Sequence, residues 1–165
     1  MTSSPLPPSF YKQDDVVAIA RQLIGKVLCT YFDDILTAGI ITETEAYNGR
    51  SDRACHAYPD VRTKRTEIMY GDPGHAYVYL CYGIHHLFNV VTNQKGRADA
   101  VLVRSVKPVD GIKQMHVRRN MQTYKPALTN GPGKLSQALG ITTDYTGIPL
   151  HKKPIWIEDR GIAIS

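Results

Sequence analysis

The chain is poor in cysteine and has no long apolar run. Its three cysteines, Cys29, Cys55 and Cys81, are an odd number with no close pair. That fits reduced thiols in a cytosolic compartment and not a disulfide framework. No apolar stretch approaches the length needed to cross a bilayer. The opening segment, MTSSPLPPSFYKQDD, lacks both the positive leader and the apolar centre of a secretory signal, so secretion is not expected. No internal repeat is visible. What is present is a 165-residue chain, 42% hydrophobic and 21% charged, the composition of one soluble globular domain with room for a real core. Its net charge of +5 is compatible with a polyanionic partner.

Two runs carry the chemistry. ITETEAYNG, from Ile41 to Gly49, places Glu43, Glu45 and Tyr47 on alternating positions, hence on one face of a strand. A carboxylate beside an aromatic wall is what a site needs to activate water next to a flat, electron-poor ligand. The same two glutamates also read as solvated charges on an open sheet face. The second run, AYVYLCYG from Ala76 to Gly83, holds Tyr77, Tyr79 and Tyr82 and turns at Gly83. Tyr77 reads as core packing. Tyr82, at the turn, is a candidate wedge, an aromatic displayed on a hairpin tip.

Other motifs are less specific. Cys55-His56, Cys81 and His85-His86 invite a metal, but their spacings fit no standard zinc pattern; His85 and His86 read as DNA-facing or solvated. NGPGKLS at 130–136 is not a Walker A loop, because Leu128 stands at the earlier glycine position and Leu135 follows Lys134. A glycine-rich helix start with a lysine either holds a phosphate or merely caps the helix. Arg62-Thr63-Lys64-Arg65, taken alone, is a solvated loop.

The order of elements is α+β. Met1 to about residue 10 reads as a loose arm. Asp14 or Asp15 caps a helix that Gly25 ends. Lys26–Phe32 and Ile35–Ala46 form a hairpin turning at Asp33-Asp34, with Gly39 marking a bulge or a close backbone approach. Tyr47–Asp60 is a polar loop and Arg62–Met69 a short basic helix. His75–Tyr82 and His86–Thr92 form a second hairpin, Ala100–Val106 a strand, and Pro108–Gln122 a helix with Arg118 and Arg119 outward. A last short helix begins near Gly133.

ETEAY at 43–47, His56, GHAYVYLCYG at 74–83, Asn89, VLVR at 101–104 and NGPGKLSQALGI at 130–141 occur together and in this order. In this the chain resembles the alkyladenine (3-methyladenine) DNA glycosylases, from about Asp15 to Ile141. The resemblance implies a single domain with a curved, mostly antiparallel sheet flanked by helices and a protruding β-hairpin. It also implies a monofunctional glycosylase acting as a monomer on double-stranded DNA that contains damaged purines, in the cytoplasm or on a bacterial nucleoid. The alkylated or deaminated purine would be flipped out and its bond to deoxyribose hydrolysed, initiating base excision repair. By the same resemblance Glu45 holds the attacking water and Arg104 orients the glutamate or its water, while Glu43 is structural or supports the site from behind. Tyr47, His56 and Tyr79 sandwich the base, Asn89 polices the purine edge and Tyr82 intercalates. The basic surface of Arg62, Lys64 and Arg65, with Lys134, follows the DNA backbone. No metal or organic cofactor is implied, and no lysine is placed to form a Schiff base.

The chain departs from the family pattern at Thr63-Lys64-Arg65-Thr66, where Thr-Pro-Arg-Asn is usual. The family also normally continues beyond the segment matching Ile155–Ile157 with a glycine-containing strand and an aromatic-rich end. Two other readings stay open: a catalytically weak or inactive nucleic-acid binding module on the same fold, and a small metalloenzyme built on the cysteines and histidines.

Overall fold

A computed structural model describes residues 4–50, 52–64 and 66–163. Its elements are β1 (Ser4–Pro5), α1 (Val16–Leu23), β2 (Val27–Phe32), β3 (Ile35–Asn48), β4 (Ala76–Cys81), β5 (His85–Thr92), β6 (Asp99–Asp110), α2 (Ile112–Arg119), α3 (Pro132–Leu139), β7 (His151–Lys152) and β8 (Ile155–Asp159). The strands form one sheet in the order β1-β8-β2-β3-β6-β5-β4, with β7 paired to β8. Every pairing is antiparallel, and the sheet curls into a half-barrel.

Local signals explain most of this. The Asp15 carboxylate accepts the Ala18 N–H at 3.1 Å, capping α1 as aspartate does. Val16, Ile19, Ala20 and Leu23 are buried at i, i+3, i+4 and i+7, one stripe of a helix. Asp33 and Asp34 both take positive φ, 53° and 62°, the requirement of a two-residue hairpin turn. Gly39 meets the expected bulge, since the register with β6 shifts between Ala38 and Gly39; a Cβ there would lie 2.6 Å from Val106 Cγ2 and 3.3 Å from the Lys107 carbonyl.

The long β3–β6 pair is not regular, and its irregularities shape the site. Ile41 pairs with Val106 and Glu43 with Ser105, which leaves Thr42 as an extra residue on β3. Glu43 pairs with Ser105 and Thr44 with Val103, which leaves Arg104 as an extra residue on β6. Two bulges in succession bend the pair and raise its twist. On one face Ile41, Val78, Phe88, Val90, Val101 and Val103 pack with α1 and α3 in the main core. The opposite face carries a second cluster containing Cys55, Ala57, Met69, Tyr70, Tyr77, Val91, Ala98 and Ala100.

Several expectations need correcting. Where a loose arm was expected, Ser4 and Pro5 pair with β8 and Leu6 is buried. The basic helix at 62–69 is only a 3-10 turn over Glu67–Tyr70. The segment 47–60 is not simply polar: β3 runs on to Asn48, and Cys55 and Ala57 are buried. Strand β6 continues through Pro108 to Asp110, so α2 starts only at Ile112; Pro108 sits at the bulged start of the β3 pairing, where a missing donor is tolerated. Arg118 and Arg119 turn inward. Arg118 donates to Thr37 Oγ1 and the Ala138 carbonyl, and Arg119 to the carbonyls of Ala127 and Leu128. Both satisfy backbone acceptors near the last turn of α3 and the preceding loop.

Strand β8 pairs with β2 and buries Ile155 and Ile157 in the main core, and its end is fixed by charge. Trp156 Nε1 donates to Glu158 at 2.6 Å, and Arg160 reaches Glu158 and Asp110, each at 2.8 Å. Arg160 thereby ties the end of β8 to the end of β6.

Candidate active site

Register places the candidate side chains. Glu45 pairs with Leu102, Leu102 with Asn89, and Asn89 with Tyr77. Paired residues in an antiparallel sheet share a face, so Glu45, Leu102, Asn89 and Tyr77 form one row across four strands. Tyr47 stands in the next row with Ala100 and Val91, and Tyr79 opposite Leu87. This is the face turned away from α1 and α3.

A small, half-open cleft lies on that face. Its lining includes Tyr47, His56, Tyr79 and Asn89, the four residues expected to hold a base, together with Tyr77 and Met69. The His56 and Tyr79 rings meet edge-on with centroids 4.4 Å apart, and Tyr77 and Tyr79 lie 5.4 Å apart. Asn89 is buried, and its amide nitrogen donates to the carbonyls of Tyr77 and Leu87 at 3.2 and 3.4 Å. Those bonds leave its oxygen as the group available to a ligand.

Glu45 is joined to Arg104 by an Nη1–Oε2 bond of 2.7 Å. Both side chains stay partly exposed, at 41% and 43%, so the contact orients the carboxylate without withdrawing it from water. Arg104 is the bulge residue of β6, which is why it has no cross-strand partner and can lean toward Glu45. Burial, followed by the adjacent Glu45 carboxylate, pushes the Tyr47 phenol well above its usual value. Tyr47 thus stays neutral and links the Glu45–Arg104 pair to the cleft. Glu43 is exposed; it lines an open groove beside the cleft with Val17, Arg21 and Thr42, and Glu45 and Arg104 line the same groove.

Tyr82 occupies the tip of the β4–β5 hairpin and is 91% exposed. It has φ 54°, Gly83 has φ 70°, and the Ile84 N–H closes the turn on the Cys81 carbonyl at 3.3 Å. A bulky side chain at positive φ is uncommon and strained; asparagine or glycine is the ordinary choice.

The basic surface is uneven. Lys64 and Lys134 are exposed, Lys134 with a 3.3 Å contact to Asn130 Oδ1. Arg62 is paired with Glu67 and stacks over Tyr70, so its charge is largely compensated. Arg65 lies outside the described residues. Among the described residues no three His, Cys, Asp or Glu side chains converge.

Two roles were missed from the sequence. Tyr77 is core, as expected, buried in the second cluster, but its hydroxyl also lies 2.9 Å from His56 Nδ1; its even spacing from Tyr79 is the signal that it faces the cleft. Asp99 is fully buried, accepting the Gly49 N–H at 3.3 Å and the Asn93 amide at 2.9 Å. It anchors the point where β3 passes into the loop that carries His56, and nothing in its sequence neighbourhood marks it.

Comparison with known proteins places the chain in a family. The family model described as methylpurine-DNA glycosylase (MPG) matches residues 9–164. Proteins named "Putative 3-methyladenine DNA glycosylase" from Bacillus thuringiensis (strain Al Hakam) and Bacillus cereus (strain Q1) are each 48% identical over 158 residues. One of the same name from Bacillus mycoides (strain KBAB4) is 49% identical. Each alignment covers 92% of this chain and 76% of the relative.

Proposed function

The chain belongs to the methylpurine-DNA glycosylase family, hydrolases of N-glycosyl bonds, and from that premise we propose how its residues release a damaged purine from duplex DNA. The observation that carries the reading is the junction at Tyr47: one side of this residue lines the aromatic cleft and the other meets the Glu45–Arg104 pair. A base held in the cleft presents its glycosidic bond at that boundary. Glu45 accepts a proton from water as the water attacks the sugar carbon, and its charge favours the oxocarbenium-like transition state. Arg104 holds the carboxylate in place.

Selectivity follows from the walls. Alkylation at a purine ring nitrogen leaves a formal positive charge, which weakens the glycosidic bond. The electron-rich faces of Tyr47 and Tyr79 favour such a ring by roughly 0.5–2 kcal/mol per contact. His56 completes the stack, and the buried Asn89 limits the ring edge. A deaminated purine carries no such charge and relies on shape alone. Tyr82 enters the duplex through the minor groove and fills the space the base has left. Lys64 and Lys134 meet phosphates. The protein works as a monomer, releasing free base and leaving an abasic site.

The test is Glu45→Gln, which keeps shape but cannot accept the proton. Single-turnover base release from alkylated duplex should fall by about 10²–10⁴-fold, with DNA affinity unchanged or higher because a negative charge near phosphates is gone. Near-normal release would remove Glu45 from the mechanism. Lesion binding without release in the wild-type protein would make the chain a binding module.

A further inference from the structure

Strand β5 leaves the hairpin tip through His85 and His86. The sequence pattern suggests that both face solvent or DNA. His86 does not: it is half-buried, and its Nδ1 accepts the backbone N–H of Thr143 at 3.0 Å. It alternates with Phe88 and Val90 on β5, both in the main core, so its ring occupies a position where the strand pattern calls for an apolar residue. An accepting Nδ1 places the ring proton on Nε2. The donor is the first residue of a 3-10 turn, Thr143–Tyr145, whose leading N–H groups have no partner within the turn.

The same short segment grips the other strand of the hairpin. Thr146 Oγ1 accepts the Val78 N–H at 2.6 Å and donates to the Val78 carbonyl at 2.8 Å. Residues 143–146 therefore hold β5 at His86 and β4 at Val78. Tyr82 lies midway between these two anchors along the chain, and Leu80, Tyr82 and Ile84 beyond them are exposed. A two-stranded ribbon alone is marginally stable in water, whereas unstacking a base costs a few kcal/mol. A wedge on an unsupported ribbon would bend before the base moved.

We propose that His86 is a positioning residue for Tyr82: its Nδ1, bonded to the Thr143 N–H, braces the hairpin against the domain so that the wedge can act on a stacked base. The proposal rests on the reading of Tyr82 given above. It makes the bond, not the bulk of the ring, the working feature, and it makes the donor side equally important.

The experiment measures extrusion with a fluorescent base analogue at the lesion, and single-turnover release from duplexes with the lesion paired or mismatched. His86→Leu removes the acceptor. His86→Asn keeps an acceptor at the place of Nδ1. Thr143→Pro removes the donor and leaves His86 intact; Thr142, at φ −129° and ψ 173°, already has the conformation that precedes proline, and proline suits the first position of a turn. His86→Leu and Thr143→Pro should each weaken extrusion of a paired lesion about three- to tenfold. The double variant should be no worse than either single one, His86→Asn should restore extrusion relative to His86→Leu, and a mismatched lesion should be less affected. A merely structural role would lower release from both duplexes alike. Normal extrusion in both single variants, multiplicative losses, or failure of His86→Asn to rescue would each overturn the proposal. If His86→Leu does not fold, Thr143→Pro against wild type decides. Tyr82→Ser separates the two levels: if it leaves extrusion intact, the wedge reading itself is lost, and if it alone impairs extrusion, only the role of His86 is.

Discussion

The hydroxyl of Tyr77, a residue only 3% exposed, lies 2.9 Å from Nδ1 of His56, which stands exposed at the mouth of the cleft. A rigid strand residue thus fixes a ring presented by a loop. Tyr77→Phe keeps the packing and removes this bond. Base release should slow by about two- to tenfold, the worth of one ordinary hydrogen bond, while the melting temperature stays within a few degrees. Single-turnover kinetics alongside thermal unfolding checks this; full activity would show that the His56 ring is held by other contacts.

The two glutamates of ETEAY should differ sharply. Both line the groove beside the cleft, but Glu45 shares its row with Asn89, contacts Arg104 and adjoins Tyr47 at the cleft wall, whereas Glu43 is exposed. Glu43→Gln should retain most base release under conditions where Glu45→Gln has lost it. Comparing the two rates on one alkylated duplex is sufficient, and the reverse ranking would move the catalytic carboxylate one alternation along the strand.

Salt dependence should separate the cations. Each phosphate contact adds a slope of roughly −0.9 in log K against log salt. Lys64→Ala combined with Lys134→Ala should flatten the slope by about one to two units, equally for damaged and undamaged duplex. Arg62→Ala should change it less, because Arg62 is already paired with Glu67. Binding titrations at several salt concentrations measure this, and an unchanged slope in the double-lysine variant would exclude that surface from the complex.

The Arg160 tie makes a pH prediction. Burial alone would raise the Glu158 carboxyl, but the Trp156 N–H and the Arg160 guanidinium outweigh it and hold the group below its usual range. A carboxylate depressed in the folded state contributes stability above its unfolded value and loses it as pH falls through the folded value. Glu158→Gln should therefore melt lower than wild type at neutral pH, by about 1.5–3 kcal/mol for charged hydrogen bonds. The gap should narrow as the solution is acidified below about pH 4. A gap that does not change with pH would mean that the amide loses packing and not charge.

Much of the molecule was legible in the chain because it depends on neighbours in sequence. The cap at Asp15, the Asp33-Asp34 turn, the constraint on Gly39 and the aromatic tip at Tyr82 all follow from residue chemistry at fixed offsets. Alternation along ETEAY and AYVYLCYG likewise puts Glu45 with Tyr47 and Tyr77 with Tyr79. What alternation cannot supply is register between strands distant in sequence. Only the tertiary pairing aligns Glu45, Leu102, Asn89 and Tyr77 in one row, and only the bulge in β6 frees Arg104 to reach Glu45. The inward turn of Arg118, Arg119 and His86, the buried Asp99 and the strap of Arg160 are hidden for the same reason. Each is a polar side chain satisfied by a backbone or charged group far away in sequence. A polar residue reads as solvent-facing until the fold brings its partner to it.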